Sequence, residues 1–448
     1  MNNEHRKIFK ELITAFEEDT LEEKLKELFK REDVDKNKLS FIISSLSGLD
    51  TTYNDDYIKN ILEGIKNYTP SKYVISKFSE CGSCCHQDSG KSICEESCPL
   101  NAITRDPKDN KIYINRELCI DCGICVDNCE HGGILDKVEF LPLLNLLKSK
   151  SILIAAVAPA IMGQFGKTAN IYKLRTAFKK LGFTDMVEVA FFADMLTLKE
   201  AVEYDHFVKT EKDFMITSCC CPMWVGMLKR VYNDLVKNVS PSVSPMIAAG
   251  RVMKKINPNC KVVFIGPCLA KKAEAKEKDL VGDIDFVLTF AELKDIFDTY
   301  GINVEELEED LSHEYASRGG RLYARTAGVS TAVGDAIKRL FPEKHKYLKT
   351  AQAHGVRECK EILSRLQDGE IHANFIEGMG CVGGCVGGPK VLIPKEVGRD
   401  FVNDFAENSD IKVAVDSSCM IDVLKNLDIT SIEDFKSKEK IFIFERDF

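Results

Sequence analysis

The amino-acid sequence predicts an α/β fold over residues 148–448, behind a cysteine-dense α+β segment at 76–140 and a helical segment at 1–75. Three observations carry this expectation. Apolar runs of strand length recur beyond residue 150 with helix-like stretches between them, the alternation of parallel or mixed sheets flanked by helices. Leucines at helical spacing mark the first 75 residues. The stretch between holds half of the eighteen cysteines and little apolar material.

In order along the chain, Leu21, Leu25 and Leu28 of LEEKLKELFKRED fall on one helical face. No chemistry is visible there, and a packing or partner-docking segment is the plain reading. Residues 76–140 have too little apolar material for their own core, so bound metal would have to hold them together. Beyond them, SILIAAVAP (151–159), DFMITS (213–218), KVVFIG (261–266), DFVLTF (285–290) and IKVAVD (411–416) read as buried strands. Several cysteine motifs directly follow such a run, where α/β proteins place their sites.

The net charge of −9 argues against nucleic acid or an anionic membrane as a partner. The N-terminus carries charges every few residues, unlike a signal peptide, and no apolar run reaches the ~18 residues of a spanning helix. A cytoplasmic location is therefore expected, where thiols stay reduced. Fifteen of the eighteen cysteines lie in short runs, which points to metal rather than disulfides. Cys260, Cys359 and Cys419 stand alone and read as small buried residues.

Cys119-x2-Cys122-x2-Cys125-x3-Cys129 has the spacing of a bacterial ferredoxin, in which three thiolates hold one [4Fe–4S] cluster and the fourth ligates another. Cys81-x2-Cys84, then Cys94-x3-Cys98-Pro99, repeats the pattern with a wider middle gap. The crossed arrangement puts Cys81, Cys84, Cys94 and Cys129 on one cluster and Cys98, Cys119, Cys122 and Cys125 on the second. Cys85 is equally placed to replace Cys84. Glu130 stands where proline usually follows the fourth cysteine. CxxC pairs also bind zinc, but a four-cysteine run at this spacing is far more specific.

Three further motifs remain: Thr217-Ser218-Cys219-Cys220-Cys221-Pro222-Met223-Trp224, then Gly266-Pro267-Cys268-Leu269-Ala270-Lys271-Lys272-Ala273-Glu274, then a run from Glu377 to Pro389 with Cys381, Cys385 and six glycines. Glycines let a chain approach a bulky group closely. One cysteine from each of two motifs and two from the third suffice for another cubane.

These segments resemble, in the same order, the three signatures of [FeFe] hydrogenases. The resemblance covers about 150–400, and the segment ahead matches that family's accessory-cluster region. The TSCCCP form is similar to a less common branch, exemplified by clostridial hydrogenase III. A catalytic domain of two lobes is implied, preceded by a ferredoxin-like domain with two [4Fe–4S] clusters. The resemblance implies that Cys221, Cys268, Cys381 and Cys385 ligate the cubane of an H-cluster. Cys385 would bridge to a diiron subsite bearing carbon monoxide, cyanide and an azadithiolate. The implied reaction is 2H⁺ + 2e⁻ ⇌ H₂, with a ferredoxin or flavodoxin as electron partner and separate maturation proteins installing the diiron subsite.

Further roles follow from the same resemblance. Cys220 matches the proton-transferring cysteine, and Glu200, Glu203 and Ser240 match the proton path. Lys271 matches a lysine that hydrogen-bonds cyanide, and Met379 a methionine beside the bridging carbonyl. Ala158 and Pro159 match the segment lining the far cyanide. Without their motifs, Met379 would read as core, and Glu200 and Glu203 as solvated charges on one helix face. Departures cluster at the same site. Gly266 replaces a methionine, Cys219 a serine, and Ala160 lacks a hydroxyl. The glycine run before Pro389 is short, and Phe207 stands near the place of an outer arginine. Two other functions are weighed: a non-catalytic relative that serves cluster assembly, and a hydrogen sensor. The first has no use for Cys220, Lys271 and Met379; the second usually carries a signalling domain, for which residues 1–75 are too short.

Overall fold

A computed structural model describes residues 2–32, 34–78, 90–149, 151–210, 212–217, 219–312 and 315–448. The expected ligands Cys81, Cys84 and the alternative Cys85 lie outside the described residues. Contacts divide the chain into two units. The first holds Met1–Ser151, Cys268–Glu277 and Phe286–Asn303; the second holds Ile152–Pro267, Lys278–Asp285 and Val304–Phe448.

The first unit opens on helices Asn3–Glu17, Leu21–Phe29, Lys36–Leu46 and Tyr57–Lys66. Leu21, Leu25 and Leu28 turn inward together, as their spacing predicts. Two antiparallel pairs of short strands follow. β1 (Ile75–Lys77) pairs with β4 (Ile134–Asp136), and β2 (Ile103–Arg105) with β3 (Ile112–Ile114). The core beneath them is small: Val74, Ile75, Ile103, Ile112, Val126, Ile134 and Leu269, with the cysteines packed against it. Lys272 anchors the 268–277 segment in this unit. It is fully buried, donates to the Lys137 carbonyl at 2.6 Å, and pairs with Asp136 at 3.4 Å and Glu292 at 2.5 Å. The unit also contains β9 (Phe286–Thr289), whose Thr289 forms a capping box with Glu292.

The second unit holds two parallel sheets. In one, β5 (Ile152–Val157) lies between β6 (Asp185–Glu188) and β8 (Cys260–Gly266), with Ile152 opposite Cys260 and Val157 opposite Ile265. In the other, β11 (Phe375–Met379) lies between β10 (Thr350–His354) and β7 (Met215–Ile216). Every strand that carries a motif does so at its C-terminal end. Ala158 follows β5, Pro267 and Cys268 follow β8, Cys219–Cys221 follow β7, and Gly380–Cys385 follow β11. Parallel strands aim their chain ends the same way, so one edge of each sheet collects the chemistry.

Four of the five expected strand runs form strands. IKVAVD (411–416) does not: it ends in a 3₁₀ turn at Ala414–Asp416, followed by a helix that Ser417 caps. Only Ala414 of the six is buried, so the apolar run has no sheet edge to bury against. No helix of the described residues is long and apolar enough to cross a membrane.

Candidate functional site

Cys221 caps the helix Pro222–Arg230, whose first residue is a proline that loses no hydrogen bond there. Trp224 Nε1 donates to the Thr217 carbonyl at 2.9 Å and folds this helix back on its own motif. The Gly380 amide donates to Cys221 Sγ at 3.2 Å. Glycine is required here by space. A Cβ on Gly378 would lie 2.2 Å from the Trp224 ring, and one on Gly380 would lie 2.5 Å from Met223 Cβ. Gly384, at φ +91°, turns the loop where a side chain would strike the Thr326 amide at 2.7 Å. Cys381 and Cys385 flank that turn, and Cys385 opens a 3₁₀ turn to Gly387. His354 Nδ1 accepts from the Gly383 amide at 3.2 Å, a contact sequence reading did not anticipate.

Cys221, Cys381 and Cys385 thus belong to adjoining, glycine-shaped backbone in the second unit. The Pro267 carbonyl, one residue before Cys268, accepts from the Lys390 amide at 3.0 Å. Cys268 itself opens the segment held by the first unit. There its neighbour Leu269 packs so closely on Gly123 that a Cβ at 123 would lie 2.3 Å from it. Cys268 also faces Cys122 closely enough to oppose its ionisation. Lys271 donates to Glu274 at 2.6 Å in the same segment.

In the first unit, Cys98, Cys119, Cys122 and Cys125 line one enclosed, largely apolar cavity. Burial pushes Cys119 up to about 11 and Cys122 up to about 12, with neighbouring thiols adding to the effect. Sulfurs so placed hold negative charge only against a bound cation, which suits iron. The Ala102 amide donates to Cys98 Sγ at 3.1 Å. Cys94 is raised by burial and also by Cys129, so those two thiols are neighbours. Among the described residues, no three His, Cys, Asp or Glu groups close into a shell for a single metal ion. A cubane interposes four irons between its thiolates and asks for wider spacing.

Behind the TSCCCP motif lies a line of buried polar groups. The helix Val189–Phe207 is apolar on almost every face, so it is enclosed, and Glu200 and Glu203 are buried with it. Thr217 Oγ1 donates to Glu200, whose carboxyl burial pushes up to about 8, with Glu203 adding to the shift. Ser240 Oγ donates to Glu203 Oε2 at 2.6 Å and lies 2.8 Å from Ser242 Oγ. Cys219 Sγ donates to the Ser240 carbonyl at 2.9 Å. Cys220 packs against the cluster that includes Met379 and Tyr323.

Ala158 follows β5, and its amide donates to the Ile265 carbonyl at 2.9 Å, with Pro159 opening the next turn. Phe264 explains Gly266: a Cβ at 266 would meet its ring at 2.5 Å, so the aromatic ring takes the space of the missing side chain. Cys359 is buried, donates to the Met379 carbonyl at 3.3 Å and neighbours Cys221. Sequence reading passed over Lys199, Ser242 and Glu445. Only Lys199 carried a signal, standing four residues before Glu203 on a helix.

A family model described as "Iron only hydrogenase large subunit, C-terminal domain" matches residues 151–389, and a 4Fe-4S binding domain model matches 112–135. Iron hydrogenase 1 of Clostridium pasteurianum is 28% identical over 292 residues, which are 54% of this chain and 51% of that protein. The chain thus spans about half the length of that relative. Cytosolic iron-sulfur assembly component 3 of Rattus norvegicus is 23% identical over 366 residues, 68% of this chain and 77% of that protein. Among solved structures, a variant of [FeFe]-hydrogenase HydA1 from Chlamydomonas reinhardtii superposes with a TM-score of 0.58 at 21% identity, over 68% of this chain and 97% of that one. The latter is a likeness of fold. With more than half of its residues matched by one family model, the chain belongs to the iron-only hydrogenase large-subunit family.

Proposed function

We propose that the protein is a catalytic [FeFe] hydrogenase of the TSCCCP branch, interconverting protons, electrons and hydrogen. Cys221, Cys268, Cys381 and Cys385 would hold the cubane of the H-cluster, with Ala158, Pro159, Lys271 and Met379 around the diiron subsite. When bound, that group supplies an electron-poor iron and a pendant amine at which hydrogen is split or formed. Cys98, Cys119, Cys122 and Cys125 would hold one accessory cluster, and Cys81, Cys84, Cys94 and Cys129 the other. A ferredoxin or flavodoxin in the cytoplasm would exchange electrons there, and maturation proteins would install the diiron subsite.

The residues of this chain move the proton. Cys220 would take it beside the metal site, and Glu200, Ser240 and Glu203 would carry it through the interior. A carboxyl held near 8 can be acid or base close to neutrality, as a relay needs. This buried line is the observation that supports catalysis over cluster assembly, because a protein that only holds clusters has no use for it. Buried carboxylates are costly: Lys199 compensates Glu203, whereas Glu200 is held by the Thr217 hydroxyl rather than by an ion pair.

Infrared spectroscopy of protein purified anaerobically after co-expression with the maturation proteins tests the reading. Bands of iron-bound carbon monoxide and cyanide are expected. Intact cubanes without those bands would favour the assembly reading instead.

A further inference from the structure

One cation behind the motif has no part in the path so far. Lys199 precedes Glu200, and its side chain has no exposed area. Its ammonium donates to Glu203 Oε1 and, at 3.1 Å, to Ser242 Oγ. It also lies 3.5 Å from Glu445 Oε1. Glu445 is the first group on this line to meet solvent, with 19% of its side chain exposed.

The C-terminal segment is built into this place. Ser242 and Glu445 form an antiparallel bridge, the Val243 amide donates to Phe444 at 2.8 Å, and the Arg446 amide donates to Pro241 at 2.9 Å. These bonds set Glu445 beside the Ser240–Ser242 segment, whose Ser240 also contacts Glu203. Phe207, near the expected place of an outer arginine, is 55% exposed and has no ionisable group to offer.

We propose that Lys199 and Glu445 form the outer leg of the proton relay, with Glu445 exchanging protons with solvent. The inference deepens the hydrogenase reading and rests on it. On the way in, the Glu445 carboxylic acid gives its proton to the Lys199 nitrogen as Lys199 gives one ammonium proton to the Glu203 carboxylate. Glu445 is left a carboxylate, Glu203 an acid and Lys199 an ammonium, and Glu445 is recharged from water or buffer. The outward path is the reverse, and no electron moves. Charges on the two sides keep Lys199 an ammonium before and after each transfer. Burial opposes the Lys199 charge, but Glu203, Glu445 and Glu200 together hold it above the ordinary lysine range. Burial raises the Glu445 carboxyl, with Glu203 adding and Lys199 opposing, so it accepts a proton more readily than a surface glutamate.

The test uses holoenzyme matured in the cell. Glu445→Gln keeps the shape and removes the exchangeable acid. It is expected to slow hydrogen evolution and oxidation by about tenfold or more, with iron content and carbon monoxide and cyanide bands unchanged. Raising the concentration of small buffer acids is expected to restore part of that rate, while wild type does not respond. Glu445→Asp, which keeps an acid, is expected to lie much nearer wild type. Full turnover of Glu445→Gln at low buffer overturns the assignment. So does an Asp variant as slow as the Gln one, or a slow Gln variant that no buffer rescues. Absence of the bands from wild type would instead remove the hydrogenase reading, and this leg with it.

Discussion

The Gly380 amide donates to the Cys221 sulfur at 3.2 Å, joining two motifs 159 residues apart in the chain. Any side chain at 380 collides with Met223, the second residue of the helix that Cys221 caps. Gly380→Ala is expected to cost about 1–3 kcal/mol and to lower iron occupancy. Anaerobic denaturation and an iron assay check this, and wild-type values in both would show that the loop yields freely.

Cys220→Ser tests the inner end of the proposed proton line. The hydroxyl is a far weaker acid than a thiol, so it gives up a proton less readily. The infrared bands should persist while turnover drops by about a hundredfold or more. Undiminished turnover would take Cys220 off the route.

Glu200 makes stability depend on pH. Its carboxyl titrates near 8 when folded and at the ordinary 4.5 when unfolded, so the folded chain binds more protons between those values. Its contribution is full below about 4.5 and is lost as pH rises through 8. Glu200→Gln should flatten that decline, by on the order of a few kcal/mol across the window. Denaturation midpoints measured from pH 5 to about 8.5 decide it; parallel slopes for both proteins would refute the assignment.

Lys272 is fully buried and pairs with Glu292 and Asp136. Lys272→Met removes one charge and leaves two carboxylates uncompensated, at a cost of about 3–5 kcal/mol. Burial already pushes Glu292 up to about 7, and Asp136 adds to this against Lys272. Loss of the lysine should therefore make the destabilisation milder in acid. A denaturation series against pH reads this directly; equal losses at pH 5 and about 8 would be the contrary result.

Cys98, Cys119, Cys122 and Cys125 share one cavity, so losing any one sulfur should empty it. Protein made without maturation proteins is expected to hold about twelve irons in three cubanes, and Cys122→Ala about eight. Colorimetric iron analysis distinguishes the two. An unchanged count would mean that another ligand replaces Cys122.

The candidate cluster ligands were legible because their spacing is itself the signal. Cys119, Cys122, Cys125 and Cys129 announce a cluster at any level of inspection, and β5 and β8 were visible because continuous apolar runs are what a central parallel strand requires. β10, TAQAH, escaped notice because it is an outer strand with Thr350 and Gln352 exposed, and so lacks the apolar run. IKVAVD misled for the opposite reason: its apolar residues find no sheet edge. The environment of Glu200 and Glu203 was also beyond reach, since three-residue spacing fits a wet helix face as well as a buried one.

Order, type and local spacing of the thiols are properties of the chain alone, and they determined the family and the candidate ligands. Which oxygen faces Lys199, and that Glu445 from the far end of the chain stands beside it, were decided only by tertiary packing. The physical reason is range. A ligand motif is written within a few residues of backbone, whereas a proton path is a sequence of hydrogen-bond distances between segments that the chain itself does not order.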